Sequence, residues 1–224
     1  MQFLAKRKYE LLLAALIQHL FSGIYINNFS FYTEILWPIN MVLLGIASIG
    51  VFLKKGNFKN TIRNILFFLV VAFPVCIPFF GGNKNYMVAL NITFVLFYIL
   101  IFWEIFQFLI RPGYINADII SACACGYLLL IEIGTFTMQI FHRIDTNSFK
   151  GINTNNPANT FMDFVYFITM TITSIGFGDI TPNTHHTKLM TSLFGITGQF
   201  YSVVLVGIII SKFSSKDQPE IMNK

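Results

Sequence analysis

Chemistry in this sequence is concentrated in one short run, Thr173-Ser174-Ile175-Gly176-Phe177-Gly178-Asp179. Glycines at alternate positions, 176 and 178, permit backbone conformations that would otherwise clash, so successive carbonyls can all point the same way. A row of carbonyls facing an axis can replace the hydration shell of a cation. Ile175 and Phe177 would then point away and pack, and Ser174 would add a hydroxyl oxygen at the inner end. The run directly follows an apolar stretch, Phe164 to Ile172, that is too short to cross a bilayer.

The elements that must position this run belong to a chain too apolar to be a soluble enzyme. Of its 224 residues 55% are hydrophobic and 11% charged, with 26 Phe and a mean hydropathy of +0.66. A soluble domain carries about 25% charged residues, so a water-facing surface could not be covered. Residues 11–33, 35–53, 64–83 and 189–211 contain no Asp, Glu, Lys or Arg. Each window approaches or exceeds the ~18–20 apolar residues a spanning helix needs, and the fold class expected is an all-α membrane protein. A span with its connection takes roughly 30 residues, which leaves room for about six spans and no folded soluble domain. They are expected near Tyr9 to Ile26, Thr33 to Leu53, Asn64 to Phe80, Tyr86 to Ile110, Ala117 to Phe141 and Thr187 to Phe213, with Pro74 and Pro78 kinking the third. Cys76, Cys123 and Cys125 all fall inside apolar windows, as buried thiols rather than a disulfide framework.

The +5 net charge reports orientation rather than a nucleic-acid partner. Lys6, Arg7, Lys8, Lys54, Lys55, Lys59, Arg63, Arg111, Lys212, Lys216 and Lys224 fall on one side, and only Lys84, Arg143, Lys150 and Lys188 on the other. Both termini are therefore expected in the cytoplasm, with the first span a retained signal anchor, because Ser22-Gly23-Ile24 is a poor cleavage site. About 45 residues separate the fifth and sixth spans. They open with a polar loop, 143–159, after which Thr160-Phe161-Met162-Asp163 reads as a capping box that starts a short helix. A short apolar helix inserted between two spans is the mark of a re-entrant segment.

With that context, Thr-Ser-Ile-Gly-Phe-Gly-Asp at 173–179 resembles the selectivity-filter signature of tetrameric potassium channels, usually Thr-Thr-Val-Gly-Tyr-Gly-Asp, over a region of about 117–213. The resemblance implies a homotetrameric pore in membrane lipid, passing potassium ions passively and needing no cofactor. The filter would comprise Thr173, Ser174, Ile175, Gly176, Phe177 and Gly178, with K+ held by the carbonyls of Ser174 to Phe177 and the Ser174 hydroxyl. Phe177 replaces the usual Tyr and removes a bracing hydroxyl, while Asp179 matches the acid behind the filter. Tyr166 and Phe167 fall where a Trp pair often stands, and Tyr166 carries the hydroxyl that could reach Asp179. Met170 stands where some members have a pore-helix Glu. The hinge glycine of the family maps to Gly198, with Gly195 and Gly207 as competitors, and Gln199, Ser202, Val206 and Ile210 recur at helical spacing toward the pore or toward neighbouring subunits.

The expected division is a four-helix domain at 1–111, a pore domain at 112–214 and a short cytoplasmic tail at 215–224 that holds no ligand-binding domain. The first four spans resemble a voltage-sensor domain in number only, because Tyr86 to Ile110 contains no Arg or Lys and residues 111–117 form a short connection to the fifth span. They are expected to form a non-sensing belt. Glu104 and Glu132 are costly acids inside apolar windows, and His19 with Gln18 is expected to make an interhelical polar contact. His185 and His186 could sense pH or bind a metal across subunits, although loop histidines are usually inert. The leading reading is a potassium channel of a plasma membrane, prokaryotic by its small size, and not an enzyme. A non-selective monovalent cation channel is the nearest rival. A transporter would be favoured by internal repeats, and a rhomboid-type protease needs a Gly-x-Ser-Gly nucleophile; the chain has neither.

Overall fold

A computed structural model describes residues 7–26, 28–52, 57–110 and 117–214, and these are predominantly helical. Helix α1 (Lys8–Phe21) continues into a 3-10 turn, Ser22–Tyr25. The next helical stretch starts at Phe29–Phe31, widens into a π turn at Tyr32–Leu36, becomes α2 (Trp37–Ser48) and tightens into a 3-10 turn at Ile49–Phe52. The π turn has a local cause. Pro38 has no N–H to donate to the carbonyl of Glu34, and its ring crowds that carbonyl, so the turn before it opens. Helix α3 (Asn57–Phe80) contains both Pro74 and Pro78 yet forms one helix, and α4 (Lys84–Ile110) and α5 (Ala117–Ile144) follow. The short α6 (Pro157–Ile172) and the long α7 (His185–Ser214) complete the described chain.

Three helical stretches are long and apolar enough to cross a membrane, Lys84–Ile110, Ala117–Ile144 and His185–Ile208, with a shorter apolar stretch at Asn64–Ile77. Leu53, the 111–116 connection and the 215–224 tail lie outside the described residues.

The start of α6 departs from the sequence reading. The cap is Asn156, whose side-chain oxygen accepts from the Asn159 N–H at 2.8 Å, with Pro157 in the first turn. An Asn-Pro pair suits this place, since proline presets the helical φ where its missing N–H is not needed. Thr160 and Asp163 therefore lie within the helix and tie down the loop before it. The Thr160 hydroxyl donates to the Asn153 carbonyl at 3.0 Å, and Asp163 Oδ2 accepts from the Asn153 N–H at 2.7 Å.

Helix α5 is the centre of the packing, lying against α4 most extensively and also against α1, α6 and α7. Of its apolar window 72% is buried, against 17% for α7. Gly134 brings α5 close to α6, where a Cβ would stand 2.8 Å from Ile168 Cγ2. Aromatic rings fill the junction of α1, α2, α5 and α6, with Phe161 of α6 packed on His19, Trp37 and Phe136. Within it His19 Nδ1 and Glu132 Oε1 are hydrogen-bonded at 2.7 Å, with both side chains fully buried. The contact expected of His19 and the partner required by Glu132 are thus one hydrogen bond.

Beyond α5, strand β1 (Phe149–Lys150) pairs antiparallel with β2 (Thr181–Pro182), Phe149 opposite Pro182 and Lys150 opposite Thr181. The Ser148 carbonyl also accepts from the Asn183 N–H at 2.8 Å and from the Thr187 hydroxyl at 2.9 Å. The short run after α6 is thereby pinned at both ends.

Candidate functional site

Helix α6 delivers its C-terminus to the 173–179 run. Thr173 caps the helix: its N–H and its hydroxyl both donate to the Thr169 carbonyl, at 3.0 and 2.7 Å, so the hydroxyl turns toward its own helix. The Met170 carbonyl accepts from the N–H groups of Ile175 and Gly176 at 3.0 and 3.2 Å, and the Thr171 carbonyl from that of Ser174 at 3.1 Å. These bonds take up the N–H groups of residues 173–176. Among the described residues no donor is paired with the carbonyls of Ser174, Ile175, Gly176 or Phe177.

The backbone alternates. Ser174, Gly176 and Gly178 have φ of 61°, 57° and 81°, and the intervening Ile175 and Phe177 do not have positive φ. Left-handed residues at every second position turn successive peptide planes the same way, which aligns unpaired carbonyls into a row. A Cβ on Gly176 or Gly178 would meet nothing within 4 Å, so the requirement for glycine there is conformational and not steric. The sequence reading missed Ser174 as a left-handed residue, because serine does not advertise the conformation. The only signal was its position two before Gly176.

The run faces outward from the single chain, with Ile175 at 54% and Phe177 at 71% exposure. Phe177 stacks in parallel on Tyr166, with centroids 6.5 Å apart. The Tyr166 hydroxyl donates to Asp179 Oδ1 at 3.0 Å, and the Asp179 carbonyl abuts Gly151, which has φ +85°. Phe167 is buried against Phe149, with centroids 5.6 Å apart. Burial pushes the Asp163 carboxyl up from the usual carboxylate range, opposed by the Asn153 N–H and reinforced by the charge of Asp179.

Helix α7 meets the run from below. Gln199 Nε2 donates to Ser174 Oγ at 2.6 Å, a contact the sequence reading did not anticipate between two residues it had named separately. Gly198 brings α7 close to α6: a Cβ there would stand 2.6 Å from Ile172 Cγ2. The helix passes through Gly198 without a break, so in this conformation that glycine serves packing. Ser202 donates its hydroxyl to the Gly198 carbonyl at 3.0 Å, and Val206 is exposed. Ile210 lies on α7, its side chain outside the described ones. His185 and His186, both exposed, open α7 with rings 5.9 Å apart, and no group of three or more His, Cys, Asp or Glu among the described residues is arranged to hold a metal ion.

Residues 126–215 match the family model described as "Ion channel". The chain is 29% identical over 97 residues to two-pore potassium channel 4 of Arabidopsis thaliana, covering 43% of this chain and 31% of that protein. It is 26% identical over 109 residues to potassium voltage-gated channel subfamily KQT member 4 of Homo sapiens, covering 49% and 14%. Over 52 residues it is 48% identical to a hyperpolarization-activated voltage-gated potassium channel of Methanocaldococcus jannaschii, covering 21% and 25%. The matches thus span a third or less of the length of these relatives. No solved structure matches the chain. Residues 126–215 are thus similar to the ion channel family and to potassium channels, and three of the described helices are long and apolar enough to cross a membrane.

Proposed function

We propose that four copies of this chain surround an axis on which the carbonyls of Ser174 to Phe177 conduct potassium passively across a plasma membrane. The observation that carries the reading is the alternation of left-handed residues at 174, 176 and 178 with no donor on the intervening carbonyls, at the C-terminus of a short helix. Each chain supplies one strand of carbonyls, and several must converge to replace a hydration shell. The negative end of α6 points toward the same place and favours a cation. Assembly also covers what the single chain leaves bare. Leu193, Ile196, Phe200 and Val203 of α7 are all more than half exposed, a continuous apolar face beside the exposed Ile175 and Phe177.

In this arrangement α6 is the re-entrant helix, α5 the outer and α7 the inner helix of the pore, and α1 to α4 surround it with both termini cytoplasmic. Gln199 and Ser202 line the water-filled cavity below the filter, and Val206 and Ile210 form its apolar inner mouth. Reconstituted protein tests the reading by its reversal potential between potassium and sodium solutions. Potassium selectivity that is lost in Gly176→Ala, with the tetramer intact, is the expected result. Equal permeability of the unaltered chain would instead mark a non-selective cation channel.

A further inference from the structure

At the inner end of the run, one side-chain oxygen remains to meet a cation, and an amide from another helix is already bonded to it. The Thr173 hydroxyl turns back to its own helix and donates to the Thr169 carbonyl at 2.7 Å. That leaves the Ser174 hydroxyl, whose Oγ accepts from Gln199 Nε2 at 2.6 Å. A hydroxyl oxygen has two lone pairs, and this bond takes one of them.

The turn of α7 that carries the amide is fixed on two sides. On one, Gly198 brings the α7 backbone against Ile172 of α6. On the other, the Tyr201 hydroxyl donates to the Cys123 carbonyl of α5 at 2.9 Å, and the buried Tyr201 ring packs on Phe102 and Tyr127, with centroids 5.8 and 6.2 Å away. Gly126 leaves room for that hydroxyl, because a Cβ there would collide with it. Packing on α5 and α6 thereby sets the height of Gln199 relative to Ser174.

We propose that Gln199 sets how strongly the inner end of the filter holds a cation, by competing with the cation for the Ser174 hydroxyl. This role rests on the filter reading of residues 174–177. A cation is ligated through lone pairs, and the amide N–H both engages one of them and places the positive end of its own dipole beside the site. Both effects weaken the same position. A monovalent ion then moves on readily, as conduction requires, whereas a divalent ion, which draws most on each ligand, loses most. Gln199 is a positioning residue that acts through Ser174 and is not itself a ligand.

The test is block of the potassium current of the reconstituted full-length channel by barium, a divalent cation close to potassium in size, applied from the cytoplasmic side. Gln199→Leu removes the amide and should lower the half-blocking concentration about three- to tenfold, the size of one neutral hydrogen bond. Gln199→Asn, one methylene shorter and unable to reach, should do the same, and it serves if the leucine variant does not assemble. Ser174→Gly deletes the hydroxyl at a left-handed position that glycine accepts. In that background Gln199→Leu should change the block by less than about twofold. An unchanged or weaker block in Gln199→Leu and Gln199→Asn channels that still select potassium overturns the proposal and leaves the filter reading intact. So does an effect that persists in full beside Ser174→Gly. Equal permeability of the unaltered chain to potassium and sodium overturns the filter reading, and the role of Gln199 with it.

Discussion

Tyr166 and Asp179, behind the proposed filter, form one bonded pair, and their coupling can be measured. The Tyr166 hydroxyl donates to Asp179 while its ring stacks on Phe177, so one side chain braces the run through both a charged hydrogen bond and a ring contact. Tyr166→Phe removes the first and keeps the second; Asp179→Asn weakens the first from the other side. Each should shorten the conducting lifetime in single-channel records, and the double variant should be no worse than the more severe single one. The coupling expected for a bond to a carboxylate is about 1.5–3 kcal/mol, and strict additivity would exclude a shared brace. Much at this scale was legible. Glycine at 176 and 178, the acid at 179 and the single hydroxyl at 166 are residue types whose chemistry survives without coordinates. The left-handed Ser174 and its bond to Gln199 were not legible, because a serine φ and the relative height of two helices are set by packing. Gly176→Ala, the substitution that tests the filter, acts through φ alone: a left-handed conformation costs a residue with a Cβ about 1–2 kcal/mol in every subunit of a ring.

Helices in this chain were located by their apolar runs, and α4, α5 and α7, which hold the three stretches long and apolar enough to cross a membrane, coincide with expected spans. That signal failed at ends and pairings. The start of α6 was misplaced because Thr160 to Asp163 has the composition of a capping box, while the Asn156-Pro157 pair upstream is the better cap. His19 and Glu132 were each recognised as residues in need of a partner, but 113 positions separate them and no periodicity links α1 to α5. Their bond makes a stability prediction. His19→Leu leaves the Glu132 carboxyl buried without a donor and should destabilise the fold by about 1–3 kcal/mol. Replacing both by leucine should restore much of that loss, since an apolar pair buries no unsatisfied group. Thermal unfolding in detergent checks it, and a double variant no more stable than the single would refute the argument. At the α6–α7 crossing the reasoning is steric. Gly198→Ala places a Cβ against Ile172 and should cost about 1–3 kcal/mol, as overpacking does, with partial recovery when Ile172→Ala is made in the same chain.

Across the whole molecule, the open question is whether the helices outside the pore feel the membrane potential. Two of the relatives are named as voltage-gated channels, and their matches cover 14% and 25% of those proteins. A family match over residues 126–215 carries no information about α1 to α4. Their own residues do. Moving one charge through the field is worth about 2.3 kcal/mol per 100 mV, and steep gating uses roughly three to four charges per subunit. Helix α4 begins with Lys84 at its end, and Tyr86 to Ile110 contains neither Arg nor Lys. The buried Asn40 side chain of α2, bonded to Ser22, is uncharged. Glu104 sits toward the α4 end that the distribution of Lys and Arg assigns to the cytoplasm, where it would cross little of the field. The conductance of the reconstituted channel in symmetric potassium should therefore vary only weakly with voltage, through ions entering the filter. Gating current recorded with conduction blocked should fall well short of that required by steep gating; several charges per subunit would show that α1 to α4 are a sensor after all.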